Sequence, residues 1–218
     1  MDLNTGSGEK TEEKRSADSG EEFDYRNPVE SFIGAVRGTA ASPVGFFAGM
    51  ARRGDYVNPT AFALICLEIY VVFNGIVWIF GAMAGFGGVG EAFGSLFLGI
   101  VIAPFAGAMG LFLRAGIFHL LTRLIIKPEA TGFEATLRAS AYSLTPMLVG
   151  WVPIIGPIIA GIWSTVLAVI GIREAHSTST GKAAAVVLIP VAVAVAVTLI
   201  LALIIRVFIY LLMREMGV

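Results

Sequence analysis

The chain has 218 residues, of which 56% are hydrophobic and 14% charged, whereas roughly 25% of the residues of an average soluble domain are charged. This composition argues against an ordinary soluble protein. The net charge of −1 gives no basic field that would attract nucleic acid, so nucleic-acid binding is excluded. The single cysteine, Cys66, lies in an apolar run and is interpreted as a small core residue.

Residues 1–27 are rich in Ser, Gly and Glu and contain few apolar side chains. Such a segment buries too little apolar surface to fold, so we predict a disordered acidic leader on the cytoplasmic side. Residues 28–58 carry Phe, Val and Ile at loosely helical spacing. They predict an amphipathic interfacial segment, placed either in the lipid headgroup layer or on the protein's own cytosolic face.

Residues 59–214 contain apolar runs of the length that a membrane-spanning helix needs, about 20 residues. Isolated strands leave their backbone polar groups unpaired in lipid, so the runs predict helices. We therefore predict an all-α membrane protein, a five-span helical bundle with a disordered N-terminal tail. The predicted spans are about 60–85, 93–121, 136–151, 156–173 and 182–211.

The third and fourth predicted spans form a short hairpin. The run from Ala139 to Ile172 is uncharged, but Pro153, Gly156 and Pro157 interrupt it near its centre and predict a turn. Each arm is short for a hydrocarbon layer of about 30 Å, so the hairpin either spans the bilayer or is re-entrant.

Lysine and arginine residues near the span ends predict the orientation, because cytoplasmic loops carry an excess of both. The opposite loops, near Gly88 and Trp151, carry neither residue. The N-terminus is therefore predicted to be cytoplasmic and the C-terminus to lie across the membrane. The cytoplasmic set is Arg52, Arg53, Arg123, Lys127, Arg138, Arg173 and Lys182.

Catalytic chemistry has few candidates in this chain. His119 and His176 are its two histidines, and no metal-ligand or nucleophile motif accompanies them, so we predict no catalytic residue, no metal and no cofactor. Ionisable and polar residues within spans mark functional sites by default. The candidate intramembrane cluster is Glu68, Asn74, Arg114, His119, Tyr142 and Thr145.

Glu68 and Arg114 are further predicted to form an ion pair. Each lies about two turns inside the cytoplasmic end of its predicted span, which would place the two charges at the same depth. A pair of this kind would hold the first two spans in one register.

Four sequence blocks together resemble the Yip1-domain family in its prokaryotic form. They are Arg138-x-x-x-Tyr142-Ser-Leu-x-Pro146, Trp151-Val-Pro-Ile-Ile-Gly156, Gly161-Ile-Trp-Ser164 and Gly171-Ile-Arg-Glu-Ala-His-Ser-Thr-Ser-Thr-Gly-Lys-Ala183. The resemblance covers roughly Pro59 to Leu212 and implies a five-span protein with a cytosolic N-terminus, here in the prokaryotic cell (inner) membrane.

The family motif that is associated with partner binding is matched only in part. Eukaryotic members of the family work with Rab GTPases and carry an Asp-Leu-Tyr-Gly-Pro motif before the first span. The corresponding Asp55-Tyr-Val-Asn-Pro59 shares only the outer two residues, so Rab-type GTPase binding does not carry over.

Two functional hypotheses follow from the sequence. The first is a non-enzymatic multi-pass membrane protein that organises the membrane or binds partners, which are the lipid bilayer, other membrane proteins or a second copy of the chain. The alternative is a transporter or channel for a small solute or ion that uses the intramembrane polar residues.

Overall fold

The structure, a computed structural model, describes residues 22–126 and 131–215. These residues contain helices and no strand, which confirms the predicted all-α class. In chain order the helices are α1 (Pro28–Ala41), α2 (Pro43–Gly49), α3 (Val57–Met83), α4 (Val89–Ile125), α5 (Phe133–Tyr142), a 3-10 helix (Thr145–Val149), α6 (Ile155–Ala175) and α7 (Thr180–Glu215). Residues 1–21, most of the predicted disordered leader, lie outside the described residues.

Four of the described helices are long and apolar enough to cross a membrane: α3, α4, α6 and α7. They correspond to the predicted first, second, fourth and fifth spans. The fifth predicted span is one unbroken helix even at Pro190, which lies inside α7.

The predicted third span, residues 136–151, is not one helix. Helix α5 ends at Tyr142, and the 3-10 helix follows after a two-residue turn. Pro146 has no backbone N–H with which to continue the α-helical ladder. The Tyr142 carbonyl instead accepts a hydrogen bond from the Thr145 hydroxyl at 2.8 Å. Two short helices, α5 and the 3-10 helix, therefore replace the single span that was predicted.

The predicted turn at residues 151–157 reverses the chain tightly. A Cβ at Gly156 would lie 2.5 Å from the carbonyl oxygen of Val149, so a side chain there would collide with the first arm. At the tip of the hairpin, Trp151 stacks on Phe73 of α3 with 5.1 Å between ring centroids. Phe73 precedes the end of α3 by ten residues, so the Trp151 ring lies about 15 Å short of that end.

Burial is concentrated at one end of the bundle, which we call the capped end. It contains α1, α2 and α5, the first turns of α3 and α7, and the last turns of α4 and α6. Its largest fully buried side chains include Tyr142, Phe46, Phe62 and Leu167. At the opposite, open end few residues are buried, and every residue of α7 from Val191 to Arg214 is exposed. Apolar helix surface of this kind is what lipid covers.

The two short helices before the first span pack on the protein itself. Helix α1 buries Ala35 and Thr39, and α2 buries Phe46 and Phe47. Both helices therefore contribute side chains to the core of the capped end, and the placement of residues 28–58 relative to the lipid headgroup layer stays a prediction.

The last six residues of the predicted disordered leader, 22–27, are described and differ from the expectation. Residues 22–26 are placed against the capped end, where Phe23 is 3% exposed and its ring centroid lies 6.2 Å from that of Phe62. A buried aromatic ring therefore helps to dock a segment whose composition is otherwise polar.

Candidate functional site

The six polar residues predicted to cluster within the spans do not form one site. Tyr142 and Thr145 belong to the core of the capped end, Arg114 contacts α5, and His119 belongs to a separate hydrogen-bonded chain. Asn74 makes no side-chain hydrogen bond to any described residue. The six therefore divide between at least three environments.

The predicted ion pair between Glu68 and Arg114 is wrong. Arg114 Nη2 donates a hydrogen bond to Ser143 Oγ at 3.0 Å, and its guanidinium lies over the Phe118 ring at 5.2 Å. Among the described residues Glu68 Oε1 has no hydrogen-bond partner, and neither residue is in an ion pair.

The register of α3 against α4 explains this error. A Cβ at Gly75 would contact Leu96, and a Cβ at Gly107 would contact Leu67. Continued along the two antiparallel helices, this register brings Arg114 level with the first turn of α3. Glu68 lies about ten residues, or about 15 Å, further toward the open end. The prediction failed because it took the capped-end termini of the two helices to be level, whereas α4 continues for about eleven residues, from Arg114 to Ile125, beyond the first turn of α3.

Both histidines join a hydrogen-bonded chain between α4, α5 and the end of α6. The Thr131 hydroxyl donates to the carbonyl of Ala175 at 2.8 Å. It must therefore accept from His176 Nδ1, which is also 2.8 Å away. With Nδ1 protonated, a neutral His176 accepts at Nε2 from the Thr136 hydroxyl, 3.0 Å away.

The same argument adds one more residue, His119, to the hydrogen-bonded chain. The Thr136 hydroxyl uses its only proton toward His176, so it accepts from His119 Nδ1 at 3.1 Å. The donors consequently all point one way, from His119 to the Ala175 carbonyl. Burial, His119 and Arg52 lower the pKa of His176 to about 4, so the ring is neutral near pH 7 and the direction of the chain is fixed.

The most connected polar site of the described residues includes one of the six predicted residues, Tyr142, and none of the other five. It is formed on α5 by Arg138 and Tyr142, which lie one turn apart, together with Asn58 at the start of α3, and we call it the α5 docking site. Arg138 is 5% exposed and forms an ion pair with Glu22. Its Nη2 also donates to the carbonyl of Asp55 at 3.2 Å.

The α5 docking site holds residues 22–25 through their backbone as well as through Glu22. The N–H of Phe23 donates to the Tyr142 hydroxyl at 3.1 Å, and the N–H of Tyr25 donates to Asn58 Oδ1 at 3.0 Å. The other carboxylate oxygen of Glu22 accepts from the N–H of Ala51 at 2.6 Å. An extended segment is thereby held by an ion pair, backbone hydrogen bonds and a buried ring.

The loop before α3 completes this site. Gly54 has φ of +150°, and a Cβ there would lie 2.6 Å from Arg138 Nη2, so the loop passes directly over the guanidinium. Asp55 caps the first turn of α3, where it accepts the N–H of Asn58 at 2.7 Å. That hydrogen bond, with Arg138 nearby, lowers the pKa of Asp55. In the sequence, this site was indicated by the Arg138-x-x-x-Tyr142 block and by the Asp55-Tyr-Val-Asn-Pro59 segment, but neither block showed that the two meet.

No group of three or more His, Cys, Asp or Glu residues that could hold a metal ion occurs among residues 22–126 and 131–215. The comparison with protein families gives one match, to the family described as Yip1 domain, over residues 37–213. Neither the curated proteins nor the solved structures contain a match to this chain.

Proposed function

Because the chain belongs to the Yip1-domain family, we propose that this integral membrane protein is a non-enzymatic, multi-pass protein that binds partners at its capped end. One observation carries the proposal: the α5 docking site holds a peptide segment. Arg138 and Tyr142 bind Glu22 and the backbone of Phe23. These are contacts that an extended acidic segment of another protein would also make.

The surroundings of the α5 docking site support a role in binding. Four apolar side chains at this end are exposed: Tyr25, Val29, Ile33 and Tyr56. They are exposed at the end of the bundle whose basic loop residues favour the cytoplasm. By the positive-inside rule the capped end faces the cytoplasm, and the chain ends on the other side of the membrane.

We place the membrane-spanning segments as follows. Helices α3, α4 and α7 cross the bilayer, and the hairpin of α5, the 3-10 helix and α6 enters from the cytoplasmic side. The contact of Trp151 with Phe73, about 15 Å from the end of α3, favours a re-entrant hairpin over the five-span arrangement. Both arrangements leave the two termini on opposite sides.

Site-specific photocrosslinking in native membranes tests the partner-binding role. A photoreactive residue at Ile33, which is 51% exposed at the capped end, should form adducts with protein. The matched control is Phe105, which is 77% exposed on the apolar part of α4 and should form adducts with lipid alone. Lipid-only adducts at Ile33 would contradict the proposal.

Transport remains the second candidate because of the one-way chain from His119 through Thr136 to His176. A chain of donors and acceptors is suited to proton movement. Proteoliposomes of the purified protein should show no proton flux above protein-free vesicles if partner binding is the function. A flux that is lost in His176→Gln would favour transport instead.

A further inference from the structure

A cavity of about 180 Å³ lies between α3, α4 and the hairpin. Its walls are almost entirely apolar and include Leu64, Leu67, Gly107, Gly110 and Met147. Arg114 supplies its one charged group. Gly107 and Arg114 are seven residues apart on α4, so the cavity extends about 10 Å along the helix axis, with its cation near the capped end.

Arg114 has hydrogen-bonding capacity left for a ligand. A guanidinium carries five N–H donors, and Ser143 Oγ accepts one of them. Ser143 gives its own proton to the carbonyl of Ser140 at 2.8 Å, so it is a neutral acceptor. No described carboxylate lies within ion-pair distance of Arg114, and the cavity therefore has a net positive charge.

The position of Arg114 coincides with a membrane boundary. The 22 residues from Ala92 to Leu113 are uncharged, and as a helix they measure about 33 Å, close to the hydrocarbon thickness of about 30 Å. Glu91 and Arg114 bracket this stretch. The guanidinium is thus at the depth of phosphate groups, while Gly107 and Leu67 are at the depth of acyl chains.

We propose that this cavity binds one anionic phospholipid of the cytoplasmic leaflet, with its phosphate on Arg114 and the first part of an acyl chain along Leu67 and Gly107. The site favours a net negative lipid because it offers a cation for the phosphate and no described acid for a choline or ethanolamine group. This inference does not depend on the partner-binding role proposed above.

Native mass spectrometry of the full chain, purified in detergent and titrated with phosphatidylglycerol, tests the proposal. The wild type should retain one lipid with higher affinity than any further ones. Arg114→Gln should weaken that first binding step at least tenfold. Arg123→Gln is the matched control, since Arg123 is an exposed arginine on the same helix, and it should change the affinity less than twofold. Equal losses in both variants would show diffuse attraction and overturn the proposal.

A second variant tests the cavity without touching the cation. A Cβ at Gly110 would meet no atom within 4 Å, so Gly110→Leu introduces a side chain at the cavity wall whose first carbon has free space. We expect this variant to fold, to keep Arg114 and to lose the first lipid. Retention of that lipid at wild-type affinity would overturn the proposal even if Arg114→Gln fails to fold.

Two further lipids identify the headgroup chemistry. Phosphatidylcholine, which has the same phosphate and acyl chains but no net charge, should bind at least tenfold more weakly than phosphatidylglycerol. Oleate, which offers a carboxylate, should compete poorly. Equal binding of phosphatidylcholine, or displacement of phosphatidylglycerol by equimolar oleate, would contradict a site for an anionic phospholipid.

Discussion

Arg138 shows how one buried charge organises several segments of this chain. It lies on α5, pairs with Glu22 and bonds to the loop at Asp55, so three segments that are distant in sequence meet at one guanidinium. A buried charge without its partner is strongly unfavourable. The docked state of residues 22–25 consequently depends on Glu22.

Replacement of Glu22 tests that dependence. We expect Glu22→Gln to lower the free energy of unfolding by about 2 kcal/mol, because it leaves the buried Arg138 charge with only its longer contact of 3.9 Å to the Asp55 carboxylate. Thermal unfolding in detergent is the measurement. Glu30→Gln is the control, as its exposed carboxylate bonds only to Asn27, and it should cost less than about 0.5 kcal/mol. Equal stability of the two variants would mean that the ion pair contributes nothing.

His176 gives a pH-dependence with a definite sign. Its pKa in the folded protein is about 4, below the ordinary value near 6.5, so between these values the unfolded chain binds more protons. Stability should therefore fall as the pH is lowered from about 6.5 to 4. At about 1.4 kcal/mol per pKa unit, the full loss is on the order of 3 kcal/mol.

The variant His176→Gln isolates this effect. It should be less stable than the wild type at pH 7, because Thr131 and Thr136 lose a hydrogen-bond partner, yet its stability should change less between pH 6.5 and 4.5. Thermal unfolding of the wild type and of His176→Gln, measured across that pH range, tests this prediction. An unchanged slope would assign the acid sensitivity to other groups.

At the scale of the elements, the sequence predicted the long helices well and the short ones poorly. The runs that became α3, α4 and α7 are identifiable because about 20 apolar residues have one stable structure in lipid. The break between α5 and the 3-10 helix depends on one proline and on the hydroxyl of Thr145. Prolines also occur inside the continuous helices α4 and α7, so Pro146 alone could not predict the break.

The second prediction that failed at this scale was the relative depth of residues along α3 and α4. The ends of apolar runs do not mark the ends of helices, and only the contacts of Gly75 and Gly107 fix how α3 and α4 align. The six polar residues could be identified in the sequence, but their grouping depends on which helix faces them. The same limit applies to the α5 docking site, whose partners are up to 119 residues apart in the chain.

A double-mutant cycle tests the alignment of α3 and α4. Glu68→Gln and Arg114→Gln should have additive effects on the free energy of unfolding, within about 0.5 kcal/mol, because their side chains do not meet. Arg114→Gln combined with Ser143→Ala should be non-additive, since those two side chains share a hydrogen bond. Strong coupling between Glu68 and Arg114 would require a different register.

At the scale of the whole molecule, the two ends of the bundle have surfaces that suit different solvents. The capped end has a packed core of aromatic and aliphatic side chains, as a soluble domain has, and it contains the docking site. The open end exposes apolar helix surface. Residues 28–58, for which the sequence left two placements open, contribute Ala35, Phe46 and Phe47 to this core.

The depth of the hairpin leads to a topology prediction. Single cysteines at Thr178, Gly88 and Ile154, in a Cys66→Ala background, should differ in their reaction with a membrane-impermeant maleimide. Thr178 lies between α6 and α7 at the capped end, and Gly88 lies between α3 and α4 at the open end. We expect labelling of these two positions from opposite sides of the membrane.

Ile154 distinguishes the two possible hairpins. It follows Trp151 in the turn and is 85% exposed, so protein packing does not protect it. In a re-entrant hairpin the turn stops about 15 Å short of the end of α3, which leaves Ile154 in hydrocarbon and unlabelled from either side. In a spanning hairpin it reaches the same side as Gly88 and reacts there. Labelling in detergent is the control, because all three cysteines should react once the bilayer is removed.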